Sequence, residues 1–345
     1  MHKVRIAING FGRIGRMVFR QAITDDKYDV VAINASYPPE TLAHLLKYDS
    51  VHGMFNGDVK AFSDRLDVNG NIVQVVNSRE PEKLPWEGLG IDVVIEATGQ
   101  FRSKEQAGRH VQAGAKKVII TAPGDGVDCT FVMGVNHEQY DPDKHDIISN
   151  ASCTTNCLAP VVKALDDHFS IVEGLMTTVH AYTTDQKQLD NPHKDLRRAR
   201  SCTQSIIPTS TGAAKALGEV LPHLDGKMHG LALRVPTANV SLVDLVVDVK
   251  APVTAEQVNN MFKDIAKTSN GIVAYSEEPL VSIDYTTTTY SAIIDGLSTM
   301  VMGDRKVKVL AWYDNEWGYS KRVLDLAGYI GRFLYQPQMQ TAGIE

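Results

Sequence analysis

The sequence predicts an α/β protein in two parts: a doubly wound parallel-sheet domain over residues 1–151, then an α+β domain with a mostly antiparallel sheet over 152–315. Three observations predict it. Short apolar runs alternate with helical patterns through the first 150 residues, the mark of parallel crossover units. A glycine-rich turn, "INGFGRIGR", joins the first apolar run to the first helical one. After "SNASCTTNC" the rhythm changes to long strands with few crossovers. At 345 residues the chain is long enough for two such cores.

Taken in order, Val4–Ile8, Val30–Asn34, Ile72–Val76, Val93–Ala97, Val118–Thr121, Phe131–Met133 and Ile147–Ile148 read as strands, several buried on both faces. Between them "RIGRMVFRQAITD", "PETLAHLLKYD" and "KEQAGRHVQAGA" have helical spacing. A helix over Thr154–His168 opens the second part, and strands follow in "EGLMTTVHAYT", "HGLALRVP", "NVSLVDLVVDV" and "VKVLAWYD". Thr184–Pro208 is polar and has no period, so it reads as a long ordered loop, a class that usually serves a site or an interface. A last helix covers about Gly318–Tyr335.

Composition narrows the function. With 43% hydrophobic and 22% charged residues the chain is globular, and a net charge of −6 argues against an extended nucleic-acid surface. No apolar run has membrane-spanning length, and "MHKVRIAING" lacks the plan of a signal peptide, so a cytoplasmic protein with no membrane contact is expected. Four scattered cysteines do not make a disulfide framework, and Cys153 and Cys157 lack the partners of a metal site, so no metal is expected.

The glycine turn is a G-x-G-x-x-G in strand-turn-helix context, the pattern of a Rossmann dinucleotide site. Gly10 permits the tight turn, Gly12 lets a pyrophosphate approach the backbone, and Gly15 lets helix pack on strand. The helix N-terminus then offers free N–H groups to the diphosphate. "EATGQF", with Thr98, and "TAPG", with Thr121, each follow an apolar strand, where ligands collect in such sheets. The acid that usually ends the next strand and holds the adenosine ribose is missing: Ala35 stands there, with Ser36 beside it.

Cys153 lies where a strand gives way to a helix, and a thiol at a helix N-terminus is expected below its free pKa of about 8.5. The hydroxyls of Ser152, Thr154 and Thr155 are cap and anion-binding groups. A buried structural cysteine is the competing reading, and it suits Cys157 better. Of eleven histidines, His180 differs in ending a strand that leads into the long loop, although a satisfied sheet histidine fits that position equally well. Thr211 and Gly212 open another helix and are a candidate phosphate site. Arg234 is a charge within an apolar strand, needing either an acid or a ligand anion. Arg197, Arg198 and Arg200 read as a solvated or intersubunit face.

Together "INGFGRIGR", "EATG", "SNASCTTNCLAP", "TTVHAYT", "DLRRAR", "PTSTGAAKA", "LRVP" and "WYDNEWGYS" resemble the phosphorylating glyceraldehyde-3-phosphate dehydrogenases, in order and through essentially the whole chain. The resemblance implies Cys153 as nucleophile and His180 as its partner. It implies Thr183 and Arg234 at the C3 phosphate of glyceraldehyde 3-phosphate. Ser152, Thr154, Thr211, Gly212 and Arg198 would lie at the inorganic phosphate or the acyl phosphate of 1,3-bisphosphoglycerate. Arg13, Ile14, Thr121 and Asn315 would contact the cofactor, Asn315 through the nicotinamide amide. It also implies a C-terminal helix, 316–345, returning to the first domain, and a homotetramer whose long loops meet near the cofactors.

In NAD-specific members of that family an Asp holds the position of Ala35, where its charge would repel a 2′-phosphate. Many of them carry Leu-Pro before "HKDLRR", where this chain has Asn191-Pro192. The resemblance therefore implies NADP as the preferred cofactor with residual NAD use, and a gluconeogenic direction. Arg79 and Lys187 are suspects for gripping the 2′-phosphate. Two rivals stand beside this reading. An erythrose-4-phosphate dehydrogenase would keep Cys153 and His180 but hydrolyse its thioester, against which the intact phosphate set leans. A nucleic-acid or surface-binding protein on the same scaffold leaves the nucleophile, base and anion set unexplained.

Overall fold

The computed structural model describes residues 2–335; positions 336–345, part of the expected returning helix, lie outside the described residues. The first sheet is made of β1 (Val4–Asn9), β2 (Tyr28–Asn34), β3 (Val59–Ala61), β4 (Arg65–Val68), β5 (Asn71–Val76), β6 (Val93–Glu96), β7 (Lys117–Ile120), β8 (Cys129–Thr130) and β9 (Ile147–Ser149). Their order is β3-β4-β5-β2-β1-β6-β7-β9-β8. From β5 to β8 every pairing is parallel. Helices α1 (Arg13–Ala22), α2 (Pro39–Lys47), α3 (Trp86–Leu89) and α4 (Lys104–Gln112) link these strands. Buried on both faces, β6 and β7 explain their unbroken apolar runs.

Two details differ from expectation. The short β3 and β4 add an antiparallel edge that the polar run "KAFSDRLDVNGN" hides. Phe131–Met133 is not a strand. There the Val132 N–H donates to Asn136 Oδ1 at 2.9 Å and Gly134 turns at φ +79°, so the chain leaves the sheet after Thr130.

The second sheet holds β10 (Ile171–Ala181), β11 (Ile207–Ser210), β12 (Met228–Val235), β13 (Ser241–Val249), β14 (Val273–Ser276), β15 (Ala292–Asp295), β16 (Met300–Met302) and β17 (Lys306–Tyr313). The order is β11-β12-β10-β13-β17-β15-β14, with β16 on β17, and only β10–β12 and β14–β15 are parallel. α5 (Cys153–Phe169), α6 (Ala213–Val220) and α7 (Ala255–Thr268) complete this half. α5 buries Leu158, Val161, Val162 and Leu165 completely, and it begins one residue earlier than the periodicity suggests because Ser152 caps it, accepting from the Thr155 N–H at 3.1 Å. α8 (Trp317–Tyr335) lies along α1, and Tyr28 Oη donates to the Leu324 carbonyl at 2.6 Å.

This architecture makes two concave places. Strand order reverses between β1 and its neighbours β2 and β6, opening a crevice at their carboxyl ends. The end of β9 feeds α5, whose first turn meets the ends of β10 and β12.

Candidate active site

Chain entry into α5 is over-determined. Asn156 Nδ2 donates to the Asn150 carbonyl at 2.8 Å, and Asn150 Nδ2 to Phe131 O at 2.8 Å. Ala151 is held at φ +54°, a conformation that costs an alanine energy and is kept only where its surroundings demand it. Cys153 follows as the first helical residue, half-buried, with Sγ 3.4 Å from His180 Nε2.

His180 sits opposite Arg234 in the parallel β10–β12 register. Arg234 Nη1 is 2.6 Å from His180 Nδ1 and donates to the Ala181 carbonyl at 3.0 Å, and Nδ1 is itself 2.6 Å from that carbonyl. A guanidinium only donates, so its approach suits a bare Nδ1, whereas the carbonyl suits a protonated one. Only the second arrangement, with the neutral ring, leaves an Nε2 lone pair facing the thiol.

Burial pushes the Cys153 thiol up from its ordinary value, against the pull of Arg234 and of the Thr154 side chain and N–H. This corrects the expectation of a lowered thiol: the helix-terminal donors are present, but desolvation outweighs them. Burial also pushes His180 down, to about 3, with the Arg234 charge adding to the effect. The resting pair is a thiol beside a neutral imidazole, poised for one proton to pass from Sγ to Nε2. Thiolate and imidazolium then stabilise each other across 3.4 Å. Cys157, fully buried, is raised much further and has no such partner.

Thr154 is directed elsewhere than expected. Its hydroxyl lies 2.9 Å from Tyr313 Oη, which also meets Thr178 Oγ1 at 2.8 Å, all three groups buried. Toward the Cys153 sulfur Thr154 also offers its first-turn N–H. Sequence reasoning missed Tyr313, although it stands in the quoted "WYDNEWGYS". Thr183 follows β10 with its N–H on Gln186 Oε1 at 3.2 Å. Thr211 and Gly212 precede α6, where Thr211 Oγ1 accepts from the Ala213 N–H at 3.2 Å and a Cβ on Gly212 would meet nothing within 4 Å. Arg198 is spent on Asp185 of the long loop at 2.6 Å and, on β11, on Thr209 Oγ1 at 2.9 Å and Ser210 O at 3.3 Å. Asp185 was not foreseen.

At the crevice, a Cβ on Gly15 would lie 2.1 Å from Gly10 O, and one on Gly10 would lie 2.8 Å from Thr98 N, so both glycines are needed for close approach. A Cβ on Gly12 would meet nothing within 4 Å, and Gly12 opens α1 with no side-chain cap. An open cradle of backbone N–H groups results, which fits a dinucleotide diphosphate. Ile14 sits in the first turn of α1. Thr98 N donates to the buried Glu96 at 2.8 Å, and Thr121 Oγ1 to Glu96 O at 3.0 Å. Glu96 is braced by His110 Nε2 at 3.1 Å, a pair the sequence did not reveal. Asn315 Oδ1 accepts from Ser241 Oγ at 2.8 Å, and Ser241 Oγ accepts from the Ala181 N–H at 3.1 Å, which ties Asn315 to the residue after His180.

Ala35 N–H donates to Val76 O at 3.0 Å, and Asn34 and Ser78 exchange two bonds at 2.8 and 2.9 Å. The ends of β2 and β5 are thus bound together, with exposed Ser36 and Arg79 just beyond them. Asn191 and Lys187 lie in the long loop, the Asn191 N–H on Ala199 O at 2.9 Å, and no hydrogen bond joins either to Ala35, Ser36 or Arg79. Among the described residues no cluster of three or more His, Cys, Asp or Glu is placed to hold a metal ion, and no helix is long and apolar enough to cross a membrane.

Two family models match the chain. Residues 4–104 match the family model for the glyceraldehyde 3-phosphate dehydrogenase NAD binding domain, and residues 152–315 that for its C-terminal domain. The chain is 67% identical over 336 residues to "Glyceraldehyde-3-phosphate dehydrogenase 2" of Bacillus subtilis (strain 168), covering 97% of this chain and 99% of the relative. It is 59% identical over 338 residues to the protein so named in Staphylococcus epidermidis RP62A, covering 98% of each. For Staphylococcus aureus MRSA252 the identity is 58% over 338 residues, again 98% of each.

Proposed function

This chain belongs to the glyceraldehyde-3-phosphate dehydrogenase family and acts with a nicotinamide cofactor, and from that premise we propose the finer reading. It interconverts glyceraldehyde 3-phosphate, inorganic phosphate and NADP+ with 1,3-bisphosphoglycerate and NADPH through a thioester on Cys153. The observation that carries the chemistry is the 3.4 Å contact between Cys153 Sγ and His180 Nε2, with Arg234 behind the ring.

His180 Nε2 takes the thiol proton as Sγ bonds to the aldehyde carbon, and the carbonyl pair moves onto oxygen. The Cys153 N–H and the newly protonated Nε2 are the donors for that oxyanion. The C3 phosphate is held by Thr183 and Arg234, which fixes the carbon over Sγ. The Gly12 cradle would hold the cofactor's diphosphate and Asn315 its nicotinamide, which would supply the hydride acceptor. The Nε2 proton passes to the oxyanion to give the hemithioacetal hydroxyl, and His180 takes it back as the hydride leaves the carbon and the carbonyl re-forms, leaving a thioester. Phosphate held by Ser152, the Thr154 N–H, Thr211 and Gly212, with Arg198 bordering them, then attacks the acyl carbon; the C–S bond breaks and the electron pair returns to Sγ.

Preference for NADP is supported by the uncharged Ala35 beside exposed Ser36 and Arg79, all at the joined ends of β2 and β5. An acid would repel a 2′-phosphate there; a hydroxyl and a guanidinium attract one. With NADPH as donor, the gluconeogenic direction is the proposed role. A homotetramer is supported by exposed Leu189, Leu196 and Ile206 on the long loop and by Leu175 and Met302 on the second sheet. In such an assembly Asn191 and Lys187 reach a neighbour's cofactor rather than their own. Four free thiols suit a reducing cytoplasm.

Initial rates with glyceraldehyde 3-phosphate and phosphate test the cofactor reading. We expect kcat/KM at least about tenfold higher with NADP+ than with NAD+. Ala35→Asp is expected to move that ratio towards NAD+ by on the order of 100-fold. A wild-type enzyme that prefers NAD+ overturns the assignment of Ala35.

A further inference from the structure

Arg13 directly follows the diphosphate cradle and was expected to contact the cofactor, yet its side chain is engaged by two carboxylates. Its Nε donates to Glu316 Oε1 at 2.8 Å, Nη1 to Asp49 Oδ2, and Nη2 to both Glu316 Oε2 and Asp49 Oδ1. Every guanidinium nitrogen is thereby used within the protein. Glu316 also meets His52 Nε2 at 3.0 Å, and His52 Nδ1 meets Thr287 Oγ1 at 2.9 Å. Asp49 Oδ1 accepts the N–H groups of Val51 and His52, each at 2.9 Å. The Asp49 and His52 side chains are buried and Glu316 is nearly so.

These groups come from both halves of the molecule. Arg13, Asp49 and His52 lie in the first, Thr287 in the second, and Glu316 between Asn315 and α8. Two-pronged guanidinium–carboxylate contacts fix orientation as well as distance. A packed apolar cluster would join the same surfaces at lower desolvation cost, so what buried charges add here is a defined geometry. One end of the cluster is covalently next to Gly12 and the other next to Asn315.

We propose that Arg13, Glu316 and His52 are positioning residues: a clamp that sets the spacing between the diphosphate cradle and the nicotinamide-holding Asn315. The proposal rests on the assignment above of Gly10–Ile14 and Asn315 to the two ends of the cofactor. Removing a clamp residue costs the dinucleotide the benefit of being held at both ends, whereas a ligand gripped only at the adenosine and diphosphate end loses little.

The test measures dissociation constants by calorimetry for NADP+ and 2′-phospho-ADP-ribose, and for NAD+ and ADP-ribose, on the wild-type enzyme and on Glu316→Gln, His52→Phe and Asn315→Ala. His52→Phe keeps a ring against Trp317, whose indole lies 5.3 Å away, and removes both hydrogen bonds. The advantage of each dinucleotide over its nicotinamide-free counterpart is expected to shrink about tenfold in Glu316→Gln and about threefold in His52→Phe, the shorter ligands staying within about twofold. A purely structural role would weaken both ligand classes alike or neither, and either pattern overturns the clamp. Should Glu316→Gln not fold, His52→Phe carries the same expectation. Loss of the advantage in Asn315→Ala but in neither clamp variant overturns the clamp alone; an advantage that survives Asn315→Ala overturns the nicotinamide assignment beneath it.

Discussion

Cys153→Ser is expected to lower turnover by on the order of 10⁴ or more while leaving cofactor binding intact. A serine hydroxyl gives up its proton far less readily than a thiol, and the ester it would form discharges to phosphate far more slowly than a thioester. Neither half of the reaction survives the change. Steady-state rates check this, together with the stoichiometry of iodoacetamide labelling. Fast labelling is expected at Cys153 alone and should vanish in the variant, because Cys157 and Cys202 are buried and Cys129 is pushed up by burial with no base beside it. A serine variant that keeps more than about one hundredth of the wild-type rate contradicts the assignment.

His180→Asn is the second large effect, a fall in kcat of about 10²–10⁴ with little change in the KM for glyceraldehyde 3-phosphate. The sign of its pH effect follows from the pair. Burial raises the thiol and lowers the imidazole, so in the wild type the proton leaves Sγ most easily by passing to Nε2 at 3.4 Å. Without that acceptor, and without the imidazolium that then faces the sulfur, the thiolate forms only by losing its proton to solvent from a buried place. The onset of iodoacetamide reactivity should therefore move to higher pH in His180→Asn. An unchanged pH profile would mean that His180 does not hold the Cys153 proton.

Features set by near neighbours were readable in the sequence. The glycine turn, the alternation of β1, β2, β5, β6 and β7 with α1, α2 and α4, and the cap-to-helix step at Ser152–Cys153 depend on residues a few positions apart. Most of what failed depends on distance. The number of donors around Cys153 can be read locally, but the burial that outweighs them cannot, so the thiol moved up rather than down. Thr154 has a hydroxyl in the right segment, yet its partner Tyr313 comes from the last strand. That His180 faces Cys153 is a matter of register between β10 and β12 and of the docking of α5. Residue patterning left it open, and only the resemblance to a family supplied it. Arg13 and Glu316 are 303 residues apart, and no local pattern announces their contact. Phe131–Met133 failed through turn chemistry at Asn136 and Gly134, which an apolar run conceals.

The central claim is a thioester on Cys153 that phosphate must relieve, and it is tested most directly by rapid mixing with glyceraldehyde 3-phosphate and excess NADP+ without phosphate. A burst of NADPH approaching one equivalent per active chain is expected, then a near stop, with steady turnover restored when phosphate is added and no burst in Cys153→Ser. Steady turnover without phosphate, unaltered when it is added, would contradict it: the acyl group would then be leaving to water, and the anion site around Thr211 and Gly212 would have no part in the reaction.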